Sequence, residues 1–194
     1  MKKASGFSLL ELISVVSIVA VASAVMMPSV LKAIQSYRLR TAAQQVEDAL
    51  HSAKFAAIQS NATRKAYINT STRCVSFGSS TSGTQYPLPS GISFTSISVT
   101  PPSIVSTAVA NATSIGGQQG TNASALTSFP ATTGATNFYE VSFNSRGLPG
   151  PGINAGTIHW VYLTNSNNEL MAVTITSAGS SQVWRWTGSA WIKL

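Results

Sequence analysis

Charge is scarce in this chain. Asp, Glu, Lys and Arg make up 9% of its 194 residues, against about 25% in an ordinary soluble domain. Acid is scarcest, with five Asp and Glu in all. Glu47 and Asp48 are neighbours in a helical pattern and point in different directions, which argues against paired acid–base work. The single cysteine, Cys74, rules out an intrachain disulfide; between Arg73 and Val75 in a β-like run, it reads as a small buried hydrophobe. The two histidines, His51 and His159, are too isolated to suggest a metal site, and His51 reads as a solvated or helix-packed imidazole. The glycines around Gly147-Leu148-Pro149-Gly150-Pro151-Gly152 are broken by proline and precede a strand rather than a helix, which disfavours a phosphate cradle. No tandem repeat stands out. The sequence therefore suggests no enzyme, no metal and no cofactor.

Apolar and small polar residues fill the space that charge leaves. Hydrophobic residues make up 44% of the chain, and Ser, Thr, Asn and Gly dominate much of the rest, as is common on exported surfaces. The length suits one ordinary domain with a real core plus one extra element. Twelve Lys and Arg give a formal charge of +7, or +5 once Lys2 and Lys3 are set aside with a short leader. A basic balance can attract nucleic acid or anionic lipid, and scattered solvated charge is the blander alternative.

The first forty residues are the most informative. Residues 1–6 are short, polar and positive. Residues 7–28 form an apolar stretch ending at Pro28, interrupted only by Glu11 and four serines. As a helix such a stretch reaches about 30 Å, the thickness of a bilayer core. Lys2 and Lys3 favour a cytoplasmic N-terminus with the C-terminal bulk translocated. A secretory signal peptide, cleaved near Ala22-Ser23-Ala24, fits less well because its polar leader is so short. Glu11 is the anomaly, since a carboxylate in a membrane helix is expensive unless paired. A cut after Gly6 would create a positive amine on Phe7, close to Glu11 in sequence, and in a polymer that amine can come from a neighbouring subunit. A Glu favoured simply by the helix N-terminal dipole is the other reading.

Gly6-Phe7-Ser8-Leu9-Leu10-Glu11-Leu12 resembles the cleavage and methylation motif of the type IV pilin and pseudopilin superfamily, followed by its apolar helix. The resemblance implies cleavage between Gly6 and Phe7 by a membrane prepilin peptidase, N-methylation of Phe7, and a subunit-assembly role for Glu11. Pro28 falls where these proteins carry a helix-bending proline, consistent with the hydrogen bond that Pro removes from a helix.

Residues 29–61 continue as an amphipathic helix. Leu39, Ala42, Val46, Ala49 or Leu50, Ala53 and Ala57 make an apolar stripe at spacings of three and four, and Gln59-Ser60-Asn61 reads as the end. Residues 62–194 read as a β-rich periplasmic domain. Short β-branched and aromatic runs are expected at 65–69, 74–77, 92–99, 139–143, 157–163, 170–176, 183–187 and 191–194. Turns fall at 144–147, 165–168 and 187–189, and 101–134 reads as a long Ser/Thr-rich loop. The expected fold is α+β: a long membrane-anchored helix packed on an antiparallel sheet. This layout, with the helix around Gln44–Asn61 and the turn Phe143-Asn144-Ser145-Arg146-Gly147, resembles the H-type minor pseudopilins of type II secretion and their FimT-like relatives.

That resemblance implies an inner-membrane, single-pass subunit of a periplasmic filament for protein export. Its partners would be the prepilin peptidase, the other pseudopilins or pilins of the filament, the inner-membrane assembly platform and membrane lipid. A minor pilin binding DNA in natural transformation is the alternative, and a major pilin or adhesin a third. In a C-terminal strand Trp184 and Trp186 share one face and Arg185 the other. Tryptophans beside Arg185 and Lys193 could stack bases and touch phosphates, or simply close the core. The denser arginine cluster of DNA-binding relatives is absent here, which counts against DNA.

Overall fold

The fold was obtained as a computed structural model, which describes residues 8–78, 85–95, 138–150 and 158–194. The expected leader and the 101–134 loop lie outside these residues. One helix, α1 (Leu9–Ser60), is followed by nine strands: β1 (Arg64–Asn69), β2 (Cys74–Gly78), β3 (Gln85–Pro87), β4 (Ile92–Phe94), β5 (Phe138–Phe143), β6 (Ile158–Asn165), β7 (Leu170–Thr176), β8 (Ser181–Trp186) and β9 (Trp191–Lys193). The chain thus has an α+β, pilin-like architecture.

α1 has 52 residues, about 78 Å of helix. It passes through Pro28, whose missing N–H leaves the Ala24 carbonyl without its intrahelical donor. It stops at Asn61, which turns left-handed at φ 46°. Asn61 N–H bonds to Ile58 O and Ala62 N–H to Ala57 O, so the last carbonyls are satisfied by the reversal itself. The buried side of its second half is Leu39, Ala42, Ala43, Val46, Ala49, Leu50, Ala53 and Ala57. Five of these are alanines, and their small side chains let the strands approach the helix closely.

The strands form two antiparallel sheets, ordered β3-β2-β1-β5 and β4-β6-β7-β8-β9, rather than the one sheet expected. The separation arises because β5 returns to pair with β1 (Ile68 opposite Tyr139), while β4 pairs instead with β6 (Phe94 opposite Leu163). Both sheets pack on α1 and share one core with it. Val75, Val141 and Phe143 come from the first sheet; Ile92, Val161, Val173, Ile175 and Val183 come from the second. Burying each such side chain stabilises the fold by roughly 1.5–3 kcal/mol.

Most expected strands are present within a residue or two of their bounds. β4 is described only to Phe94, and the remainder of the expected 92–99 strand lies largely outside the described residues. β3 was not anticipated; it is an exposed edge strand of three residues ending in Pro87. Cys74 is only half-buried, because it opens β2 beside the 70–73 turn and its Sγ lies 3.4 Å from Thr72 O.

Candidate functional site

Three regions hold the residues that the sequence singles out, and the first is the free half of α1. Ser8 caps it with an extended backbone (φ −76°, ψ 141°). The Ser8 carbonyl accepts the N–H groups of Glu11 (3.0 Å) and Leu12 (3.1 Å). Glu11 therefore stands in the first turn, where the helix dipole favours a negative charge. From Leu9 to Ile34 every residue is exposed; Leu10 is 78% and Ile18 70% accessible. The serines in this stretch bond back to their own helix: Ser14 Oγ to Glu11 O, Ser17 Oγ to Ile13 O and Ser23 Oγ to Val19 O, each at 2.8 Å. Their hydroxyls thus need no water, which suits a helix surrounded by hydrocarbon. α1 is long and apolar enough to cross a membrane, with a mean hydropathy of 2.4 in its most apolar window and none of that window buried. Gly6 and Phe7 lie outside the described residues.

The second region is the C-terminal hairpin of β8 and β9. Trp184 pairs with Lys193 and Trp186 with Trp191. The outer face of the second sheet carries a small aromatic core of its own: Trp160 and Tyr162 are buried around Ala172, with Trp184 and Trp191 packed against them. Tyr162 stacks on Trp191 at 5.9 Å, and Trp191 meets Trp186 at 5.3 Å. Trp184 Nε1–H donates to Thr174 Oγ1 at 3.0 Å, so this indole is committed to the sheet. Burial pushes the Tyr162 hydroxyl pKa well up, because an anion there would lose its water. Arg185 is exposed and lies opposite Met171, so it shares the helix-side face with Val183, not the face of Trp184. The alternation expected from the sequence is therefore present, and it separates Arg185 from Trp184.

The third region surrounds His51. Its Nε2 lies 3.0 Å from Ser181 Oγ and 4.0 Å from Glu47 Oε1, and its ring stacks on Phe55. Hydroxyl and carboxylate approach the same ring nitrogen, whereas a nucleophile relay uses one nitrogen for each. The group ties α1 to the start of β8.

A cleft of about 530 Å³ lies between α1 and the hairpin, lined by Tyr37, Arg40, Glu169, Arg185 and Trp186 among others. Glu169 closes one side: Ser36 Oγ donates to its carboxylate at 2.7–2.8 Å and Asn165 Nδ2 donates to it at 2.5 Å. The residues of this cleft come from segments far apart in sequence, and no motif marks them. Comparison of the chain with protein-family models, with curated proteins and with solved structures finds no match.

Proposed function

We propose that this chain is a structural minor pseudopilin of the H type, cut after Gly6 by a prepilin peptidase and assembled through α1 into a periplasmic type II secretion filament. The observation that carries this reading is the division of one helix into two halves. The second half is buried in the domain core, while the first is apolar, wholly exposed and headed by Glu11. A soluble domain does not keep such a surface bare. Bilayer lipid would cover it before assembly, and neighbouring subunits afterwards. In that setting Glu11 would need a positive partner, and the amine of a neighbour's Phe7 provides one at the motif the superfamily uses. The chain would then be a single-pass inner-membrane protein with its β-rich domain in the periplasm, working with the other pseudopilins and the assembly platform.

The test is a deletion strain complemented with wild-type, Gly6→Ala or Glu11→Leu protein, scored for secretome and transformation frequency together. The reading predicts lost secretion, normal transformation, and no rescue by either variant. Lost transformation with an intact secretome would overturn it in favour of DNA uptake. Full rescue by Gly6→Ala would show that cleavage at the leader is not required.

A further inference from the structure

The cations of this domain are distributed unevenly along its length. α1 first touches the domain at Gln35, which lies against Gly91, and at Ser36, which bonds Glu169. Arg38 Nη1 donates to Ser90 Oγ at 3.0 Å, and Leu88 N–H donates to the Arg73 carbonyl at 2.8 Å. Arg185 and Trp186, at the end of β8, join Tyr37 and Arg40 around the cleft. Lys32, Arg38, Arg40, Arg73 and Arg185 therefore gather at the end from which the apolar helix emerges, with Glu169 the one acidic side chain described among them and Leu194 also lining the cleft. Glu47, Asp48 and Glu140 lie farther along α1 or on β5, Glu140 held by Lys65 at 2.8 Å. The far end, with Lys54, Arg64, Lys65 and Arg146, is nearly balanced by these three acids.

The near end lies at the right height to meet a membrane surface. From Leu9 to Ile34 the exposed apolar half of α1 spans about 39 Å, whereas a hydrocarbon core is about 30 Å and each head-group layer adds roughly 5–8 Å. Ile34 then lies at the outer edge of the head groups. Arg38 and Arg40 follow within two turns, and helix side chains lean toward the N-terminus, here toward the bilayer. Tyr37 is 73% accessible, and Tyr and Trp are the side chains that settle at such interfaces. Among the described residues neither Arg40 nor Arg185 forms an ion pair, and Glu169, on one side of the same cleft, accepts from Ser36 and Asn165.

We infer that this rim is a lipid-recognition site. The cleft of Tyr37, Arg40, Arg185 and Trp186 takes the phosphate of an anionic phospholipid head group, and the surrounding cations dock the domain on the leaflet from which α1 emerges. Docking holds the domain in one orientation before it leaves the membrane. The inference rests on the anchoring part of the proposed function, and on nothing about cleavage or secretion.

The experiment uses the full chain in lipid nanodiscs carrying a fixed trace of head-group nitroxide lipid, which quenches nearby tryptophan. Discs of phosphatidylcholine alone are compared with discs that also contain phosphatidylglycerol. Each Lys or Arg near an anionic surface shifts the docked population about fivefold, so Arg40→Gln with Arg185→Gln should lower it roughly 30-fold. Quenching is expected to be strong in anionic discs, to fall with salt and to be lost in the double variant. Arg64→Gln with Arg146→Gln, the same loss of charge at the far end, should retain it. Equal quenching in both disc types, or equal loss in both double variants, would overturn the inference. Inorganic phosphate altering the fluorescence in neutral discs, with Arg40 and Arg185 required, would reassign the cleft to free phosphate and overturn it as well. A chain that does not stay with the discs would refute the anchor itself, a separate outcome.

Discussion

Gly179 is the position at which a single methyl group should do most damage. It sits in the β7–β8 turn at φ +74°, a conformation that costs a residue with a Cβ about 1–2 kcal/mol. A Cβ there would lie 2.6 Å from the Gly147 carbonyl oxygen, and a backbone atom cannot rotate away. The turn would have to lift, and with it the Gly179 carbonyl that accepts Lys54 Nζ at 2.9 Å. Losing that half-buried, charge-assisted bond costs about 1.5 kcal/mol. Gly179→Ala should therefore destabilise the domain by about 3 kcal/mol, and Gly188→Ala provides the control. Gly188 is also left-handed, at φ +95°, but nothing lies within 4 Å of its added Cβ, so strain alone should cost about 1 kcal/mol. At roughly 3 °C per kcal/mol for a domain of this size, the Tm should fall by about 9 °C in one variant and about 3 °C in the other. Thermal unfolding of the full chain in detergent, followed by near-UV circular dichroism, measures both. Equal shifts would refute the packing of the 144–150 turn against the β7–β8 turn and the end of α1.

Other outcomes follow from the same structure. Leu50→Ala, at a core position 2% exposed, should cost about 2–5 kcal/mol in chemical denaturation, whereas Leu31→Ala, at 58% exposure, should leave domain stability unchanged. Trp184→Phe removes the donor to Thr174 and should cost about 1 kcal/mol, whereas Trp186→Phe, at the edge of the open cleft, should cost less in the same assay. Alkaline pH should weaken the fold. The Lys65 ammonium is raised above its usual 10.5 chiefly by its hydrogen bond to Glu140, and the Tyr67 hydroxyl is raised by burial. In both cases the folded state holds its proton more tightly than the unfolded state. Their stabilisation is complete below pH about 10 and lost as pH rises through the folded values. Stability measured from pH 8 to 11 should fall at the top of that range, and Glu140→Gln should flatten the Lys65 part.

The helix was legible in the sequence because its two halves obey different rules. A run apolar on all sides gives way at Leu39 to a stripe at spacings of three and four, and Asn61 supplies a residue that tolerates the left-handed stop. β5 was legible from the alternation of Tyr139, Val141 and Phe143, which points those residues toward the core. β3 was not, because a three-residue edge strand ending in proline has no period and little burial to reveal it. Neither was the division into two sheets, since local pattern cannot show that β5 returns to β1 across a long intervening segment. The cleft was hidden for the same reason. Arg40, Glu169 and Arg185 are unremarkable singly, and only the antiparallel register of β6, β7 and β8 brings them beside Ser36 and Tyr37.

The most direct test of the account is the mass of the protein purified from a bacterial membrane fraction, with its N-terminal peptide sequenced. Processing at the leader motif should leave a chain that begins at Phe7, carries one N-methyl group and lacks Met1 to Gly6. A chain that keeps Met1, or one that begins after Ala24, would contradict it.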